Sequence, residues 1–140
     1  MCRFFLASPA EARYYKFMMS SETHSTELAL KAPVTKANLN THVFVCTGKS
    51  CSQNDSEATL AKFWEVLAGQ GLLYGKRGTV EGTVIVTTCG SVGLCSIGPA
   101  VLIYPEGVWY YKVTPDDVSE IVSEHIIGGQ IVERLLAYHF

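Results

Sequence analysis

The chain has 140 residues, 48% of them hydrophobic and 17% charged, enough for one domain with a real core. A net charge of −2 gives nucleic acid little to hold, and no apolar run approaches the roughly 18 residues that a membrane span needs. Five cysteines, an odd number without a convincing signal peptide, argue against a secreted disulfide framework and for a reducing, cytoplasmic setting.

Residues 1–41 differ from the rest. "MCRFFLASPAEARYYKFM" is basic and aromatic, and its apolar centre, Phe4 to Ala7, is too short for a signal sequence. The polar stretch that follows has the composition of a flexible tail. Met18 and Met19 open it, so translation is expected to start there, leaving the first seventeen or so residues as an upstream extension. Residues 1–41, with a net charge of +2, are thus expected to be a tail or extension, and residues 42–140, with −4, the folded domain. The acidic balance keeps the domain soluble and suits a basic partner surface.

"HVFVC", residues 42–46, alternates and reads as a strand ending at Cys46. "TGKSCSQN" is a loop. Asp55 or Ser56 caps a helix whose apolar residues Leu60, Phe63, Trp64 and Leu67 share one face, and Gly69 and Gly71 end it. Gly75 to Gly82 is a polar connection. "GTVIVTT" is a second strand, expected to be buried on both faces. "AVLIYP" and "VWYYKV", joined by "EG", form a hairpin in which alternate aromatics pack on the sheet and the outward ones offer a partner surface. Thr114 caps a helix with Pro115 first and Asp116 and Asp117 in its opening turn. Val118, Ile121, Val122 and Ile126 are its buried stripe, Gly128 and Gly129 stop it, and "QIVERLLAYHF" is a short amphipathic end piece. The order is β-α-β-β-β-α. It predicts an α/β domain of the thioredoxin-like plan, a mixed four-stranded sheet with flanking helices.

The first two strands, joined through a helix, are parallel, so the loops that follow them leave the same end of the sheet. Cys46 and Cys51 stand at the first loop, Cys89 and Cys95 at the second, within "TTCGSVGLCSIGP". Four thiols in that arrangement suit zinc or an iron–sulfur cluster. The second spacing is wide for structural zinc, whose cysteines are usually two to four residues apart. Iron–sulfur ligation tolerates it and uses the backbone N–H groups that glycines bring close to sulfur. Any single cysteine reads equally as a buried thiol. Lys49, between the first pair, is a candidate to offset cluster charge or a solvated loop residue. His42 and His125 lack a paired-ligand pattern, and Cys2 is not expected at the site.

"HVFVCTGKSC" and "GSVGLCSIGPAVLIYPEGVWYYKVTPDDVSEIVSEHIIGGQIVERLL" resemble the thioredoxin-like 2Fe–2S ferredoxins, and also the small iron–sulfur subunit of respiratory NADH dehydrogenase and related hydrogenases. The likeness runs over residues 42–137. It implies a thioredoxin-like fold, a 2Fe–2S cluster near the surface held by two cysteine pairs, one-electron transfer between redox partner proteins, and a homodimer. Cys46 and Cys51 reproduce the Cys-x4-Cys pair of the respiratory subunits, and Cys95 matches the last ligand. The family's third cysteine falls at Ser91, while Cys89 stands two residues earlier. Either Cys89 takes that place by a shift of the loop at Gly90, or Ser91 ligates through oxygen. A thiol, with a pKa of about 8.5, ionises far more readily than a hydroxyl, which favours Cys89. Electron carrier without substrate chemistry is the expected role. Its alternatives are a subunit of an NADH- or hydrogen-oxidising complex and a cluster-free interaction module.

Overall fold

The computed structural model describes residues 30–140. The start at Met18 or Met19 and the fate of Cys2 lie outside the described residues. Ala37–Phe140 forms one compact unit; in the segment before it, Pro33–Lys36 makes a single 3-10 turn.

The unit is built in the order β1 (Thr41–Cys46), α1 (Lys49–Ser52), α2 (Ser56–Gly69), β2 (Val84–Cys89), β3 (Val101–Tyr104), β4 (Val108–Tyr110), α3 (Pro115–Glu120) and β5 (Leu136–His139). The sheet order is β2-β1-β3-β4-β5. β1 and β2 are parallel, and the remaining neighbours are antiparallel. The α/β class and thioredoxin-like plan hold, with one correction: the sheet has five strands, not four. Residues 136–139 leave the expected amphipathic end piece to pair with β4.

α2 presents Leu60, Phe63 and Leu67 to the inner sheet face, where Val43, Val45, Val101 and Ile103 are fully buried. Burying Phe63 and Leu67 contributes about 1.5–3 kcal/mol each. Trp64, expected in the core, is only half-buried and carries the Arg77 guanidinium over its ring, 3.9 Å from the centroid. Asp55 precedes α2 in a left-handed conformation (φ 68°), and its side chain makes no capping bond. β2, expected to be buried on both faces, is buried on one: Val84 and Val86 are inside, while Ile85 and Thr87 on the other face are half-buried, as are the outward His42 and Phe44 of β1.

The start of α3 follows its sequence signals. Thr114 precedes Pro115, and its backbone N–H and hydroxyl both donate to Asp117 Oδ2 at 2.8 Å. Arg134 reaches Asp117 Oδ1 at 2.7 Å and also pairs with Glu120. Burial alone would raise Asp117, but the Thr114 N–H and the Arg134 guanidinium outweigh it and hold the carboxyl below its ordinary range. Beyond Glu120 the helix widens into a π turn, Ile121–Ile127. His125 lies in the interior, where its Nδ1 is hydrogen-bonded to the Tyr110 hydroxyl at 2.7 Å. Tyr110 Oη in turn accepts the Val132 N–H at 3.1 Å.

Candidate metal centre

The parallel pairing of β1 and β2 brings both cysteine-bearing loops to one end of the sheet. Cys46 and Cys89 are register partners at the last rung, so their side chains leave the same face. After Gly48 the chain turns once as α1, where a loop was expected, and this turn carries Cys51 back into the fold. Ser52 closes the turn by donating to the Thr47 carbonyl at 2.8 Å.

The sulfurs of Cys46, Cys51 and Cys95 lie within 4.8 Å of one another, and Cys46 and Cys51 are fully buried. Cys46 Sγ is 3.6 Å from Cys95 Sγ. Among the described residues, no Cys89-containing group of ligand-type side chains is that tight. Ser91 Oγ lies 3.1 Å from Cys95 Sγ and accepts the Gly93 N–H at 3.1 Å, in a turn that Gly93 permits with φ of 90°.

Burial pushes the Cys51 thiol up to about 11, and the neighbouring Cys46 and Cys95 add to it. Burial also raises Cys89, with Cys46 and Cys95 contributing. Cys95, half-buried, is lowered instead, chiefly because a hydrogen bond from the Ser91 hydroxyl favours its thiolate.

Ala100, Val92 and Leu94 pack around the thiols. Gly98 lies against them, and a Cβ there would collide with Cys51 Sγ. A side chain at Gly48 would run into the Gly90 carbonyl of the facing loop. Both glycines are thus needed for the close approach of the two loops. Four hydrogen bonds tie the loop after β2 to the sheet and its flank: Trp109 Nε1 donates to Val92 O at 2.9 Å, Lys112 N to Ile97 O at 2.9 Å, Val113 N to Pro99 O at 3.0 Å and Cys46 N to Ala100 O at 3.0 Å.

The histidines stand elsewhere. His42 Nε2 is 2.8 Å from Thr87 Oγ1, with its ring stacked on Phe44, and His125 is occupied by Tyr110. Lys49 is exposed at the start of α1. Sequence reasoning missed the Ser91–Cys95 contact and the Trp109–Val92 bond; the second joins residues 17 apart with no local signal.

Convergent thiols, with glycines where they meet, suit a metal–sulfur group. The fold and the site therefore define a thioredoxin-like protein with a cysteine-built centre at the carboxyl ends of two parallel strands. The comparisons narrow this class. Residues 32–125 match the family model of thioredoxin-like [2Fe-2S] ferredoxins. The chain is 42% identical over 102 residues to a 2Fe–2S ferredoxin of Clostridium pasteurianum, covering 67% of this chain and 92% of that one. It is 38% identical over 103 residues to a 2Fe–2S ferredoxin of Aquifex aeolicus (strain VF5), covering 68% and 86%. A solved thioredoxin-like [2Fe-2S] ferredoxin from Aquifex aeolicus superimposes with a TM-score of 0.61 at 34% identity, over 72% of this chain and 93% of that one. A solved variant of the Aquifex protein, with serine in place of one cysteine, gives 0.62 at 36% identity, over 71% and 99%. The chain belongs to the thioredoxin-like [2Fe-2S] ferredoxin family.

Proposed function

We propose that this protein is a one-electron carrier whose domain, residues 42–140, holds a 2Fe–2S cluster on Cys46, Cys51, Cys89 and Cys95. The observation that carries the proposal is the convergence of the Cys46, Cys51 and Cys95 sulfurs within 4.8 Å at the end of the parallel strand pair. Bound there, a 2Fe–2S cluster supplies one-electron chemistry.

The chain's own residues do the rest. Cys46 and Cys51 hold the inner side, with Ala100 against them. Cys95 and the exposed Ser91 and Gly93 form the outer side, so a redox partner can come close. Cys89 is the fourth donor because it is a thiol beside Cys46 in the ladder. A second reading, in which Ser91 ligates through oxygen, is favoured by its 3.1 Å approach to Cys95. The protein acts between redox proteins, with no substrate chemistry of its own, in the cytoplasm and as a homodimer. Among the described residues, no helix is long and apolar enough to cross a membrane.

The test is iron, sulfide and zinc analysis of anaerobically purified protein beside its visible spectrum. About two iron and two sulfide per chain are expected for such a cluster. A colourless protein, or one holding zinc alone, sinks the proposal.

A further inference from the structure

Trp109 is the outward residue of β4, between the fully buried Val108 and Tyr110. Its ring is held edge-on by Tyr138, 5.8 Å away, and Phe140, 5.3 Å away. Held this way, the indole points its N–H at the loop after β2 and donates to Val92 O at 2.9 Å.

Val92 sits between Ser91 and Gly93, which are themselves joined by the Gly93 N–H to Ser91 Oγ bond. Ser91 Oγ contacts Cys95 Sγ. A continuous chain of contacts thus runs from a sheet aromatic through Val92 to a proposed ligand. The other ties between the sheet end and this loop are backbone bonds to Ile97, Pro99 and Ala100, on the far side of Cys95. The segment between Gly90 and Leu94 receives its tie from a side chain, and that tie can be removed by mutation without touching the backbone.

We propose that Trp109 is a positioning residue for the metal centre: its indole N–H fixes the Ser91–Gly93 turn and, through it, the place of Cys95. The proposal rests on the electron-carrier reading above. Hydrogen bonds around ligands orient them and tune the bound metal, so loss of this one reaches the centre without removing a donor atom.

The experiment compares purified wild type, Trp109→Phe and Tyr138→Leu. The first variant keeps an aromatic ring against Tyr138 and Phe140 but removes the N–H. The second loosens the ring packing and leaves the N–H. Three quantities are read: the electron paramagnetic resonance spectrum after reduction, the rate at which a chelator bleaches visible absorbance, and amide exchange across residues 90–95 in protein stripped of metal. Trp109→Phe is expected to show altered g values, several-fold faster bleaching and several-fold faster exchange. Tyr138→Leu is expected to match wild type in the spectrum and to change the two rates less than twofold. A Trp109→Phe protein that matches wild type in spectrum and exchange overturns the proposal, even if its melting temperature falls. Equal changes in both variants also overturn it, since they assign the effect to ring packing. A colourless wild type defeats the underlying reading, whereas a coloured wild type with an indifferent Trp109→Phe defeats this proposal alone.

Discussion

Ser91 Oγ lies 3.1 Å from Cys95 Sγ, which sets an oxygen donor against the thiol group at the position where the family pattern has a cysteine. Cys89, two residues earlier, is the register partner of Cys46 and offers a sulfur from the neighbouring strand. Gly90 separates the two candidates; an added Cβ there would meet nothing within 4 Å, while its carbonyl packs against Gly48 of the facing loop.

Thiolates ionise far more readily than hydroxyls, so Cys89→Ala is expected to lose the cluster or change its spectrum, while Ser91→Ala keeps a four-thiolate spectrum. Visible and paramagnetic resonance spectra of the two variants, taken side by side, decide the matter. An unchanged Cys89→Ala protein beside a bleached Ser91→Ala protein assigns the fourth position to Ser91.

Gly98→Ala is expected to damage the centre from the inside. Its Cβ has no room beside the Cys51 sulfur, which is fully buried and cannot swing out to solvent. Overpacking of this kind costs about 1–3 kcal/mol. Urea unfolding should show a lower midpoint and metal analysis a lower iron content, whereas Gly90→Ala, with open space around it, should leave both near wild type.

Asp117→Asn tests the start of α3. The carboxylate accepts both Thr114 donors on one oxygen and Arg134 on the other. Loss of a helix cap costs about 0.5–2 kcal/mol. Arg134 is half-exposed, so its charge adds little to that figure. Thermal unfolding should move down by a few degrees, and an unchanged melting curve would show that the cap is dispensable.

His125 gives stability a pH dependence of known sign. Burial lowers its pKa below 6.5, and Glu106 opposes this only in part. The unfolded chain therefore binds the proton first as pH falls, and the folded chain later. Stability is complete above about pH 6.5 and declines as pH drops toward the folded value, with a slope of at most about 1.4 kcal/mol per pH unit. Denaturant melts at pH 7.5 and 5.5 should show the loss. His125→Gln, weaker throughout, should lack this part of the slope; an identical slope in the variant would place the effect elsewhere.

Most of the scaffold was legible because its signals are local. Alternation marks β1, the i, i+3, i+4 stripe marks α2, and Thr114, Pro115, Asp116 and Asp117 mark the start of α3. β5 was not, because Leu136–His139 is mostly exposed and carries no period-two pattern; its pairing with β4 defines it. His125 stands i+4 from Ile121 and i+3 from Val122, so the period alone puts it on the buried stripe; its polar side chain hid this, and its partner, the Tyr110 hydroxyl, leaves no local trace in the helix. At the centre, the parallel crossover made the meeting of the cysteine loops legible. The Ser91 approach depends on the left-handed turn at Gly93, and the Trp109 bond on the hairpin's placement beside the loop; neither leaves a local trace.

The central claim is that the chain carries one electron at a time on a cysteine-held 2Fe–2S cluster. Its most direct test is an anaerobic redox titration of the purified protein followed by electron paramagnetic resonance. The account predicts a silent oxidised form, a half-integer-spin signal that grows with uptake of one electron per chain, and its full disappearance on reoxidation. A protein that takes up no electron, or stays silent after reduction, would contradict it.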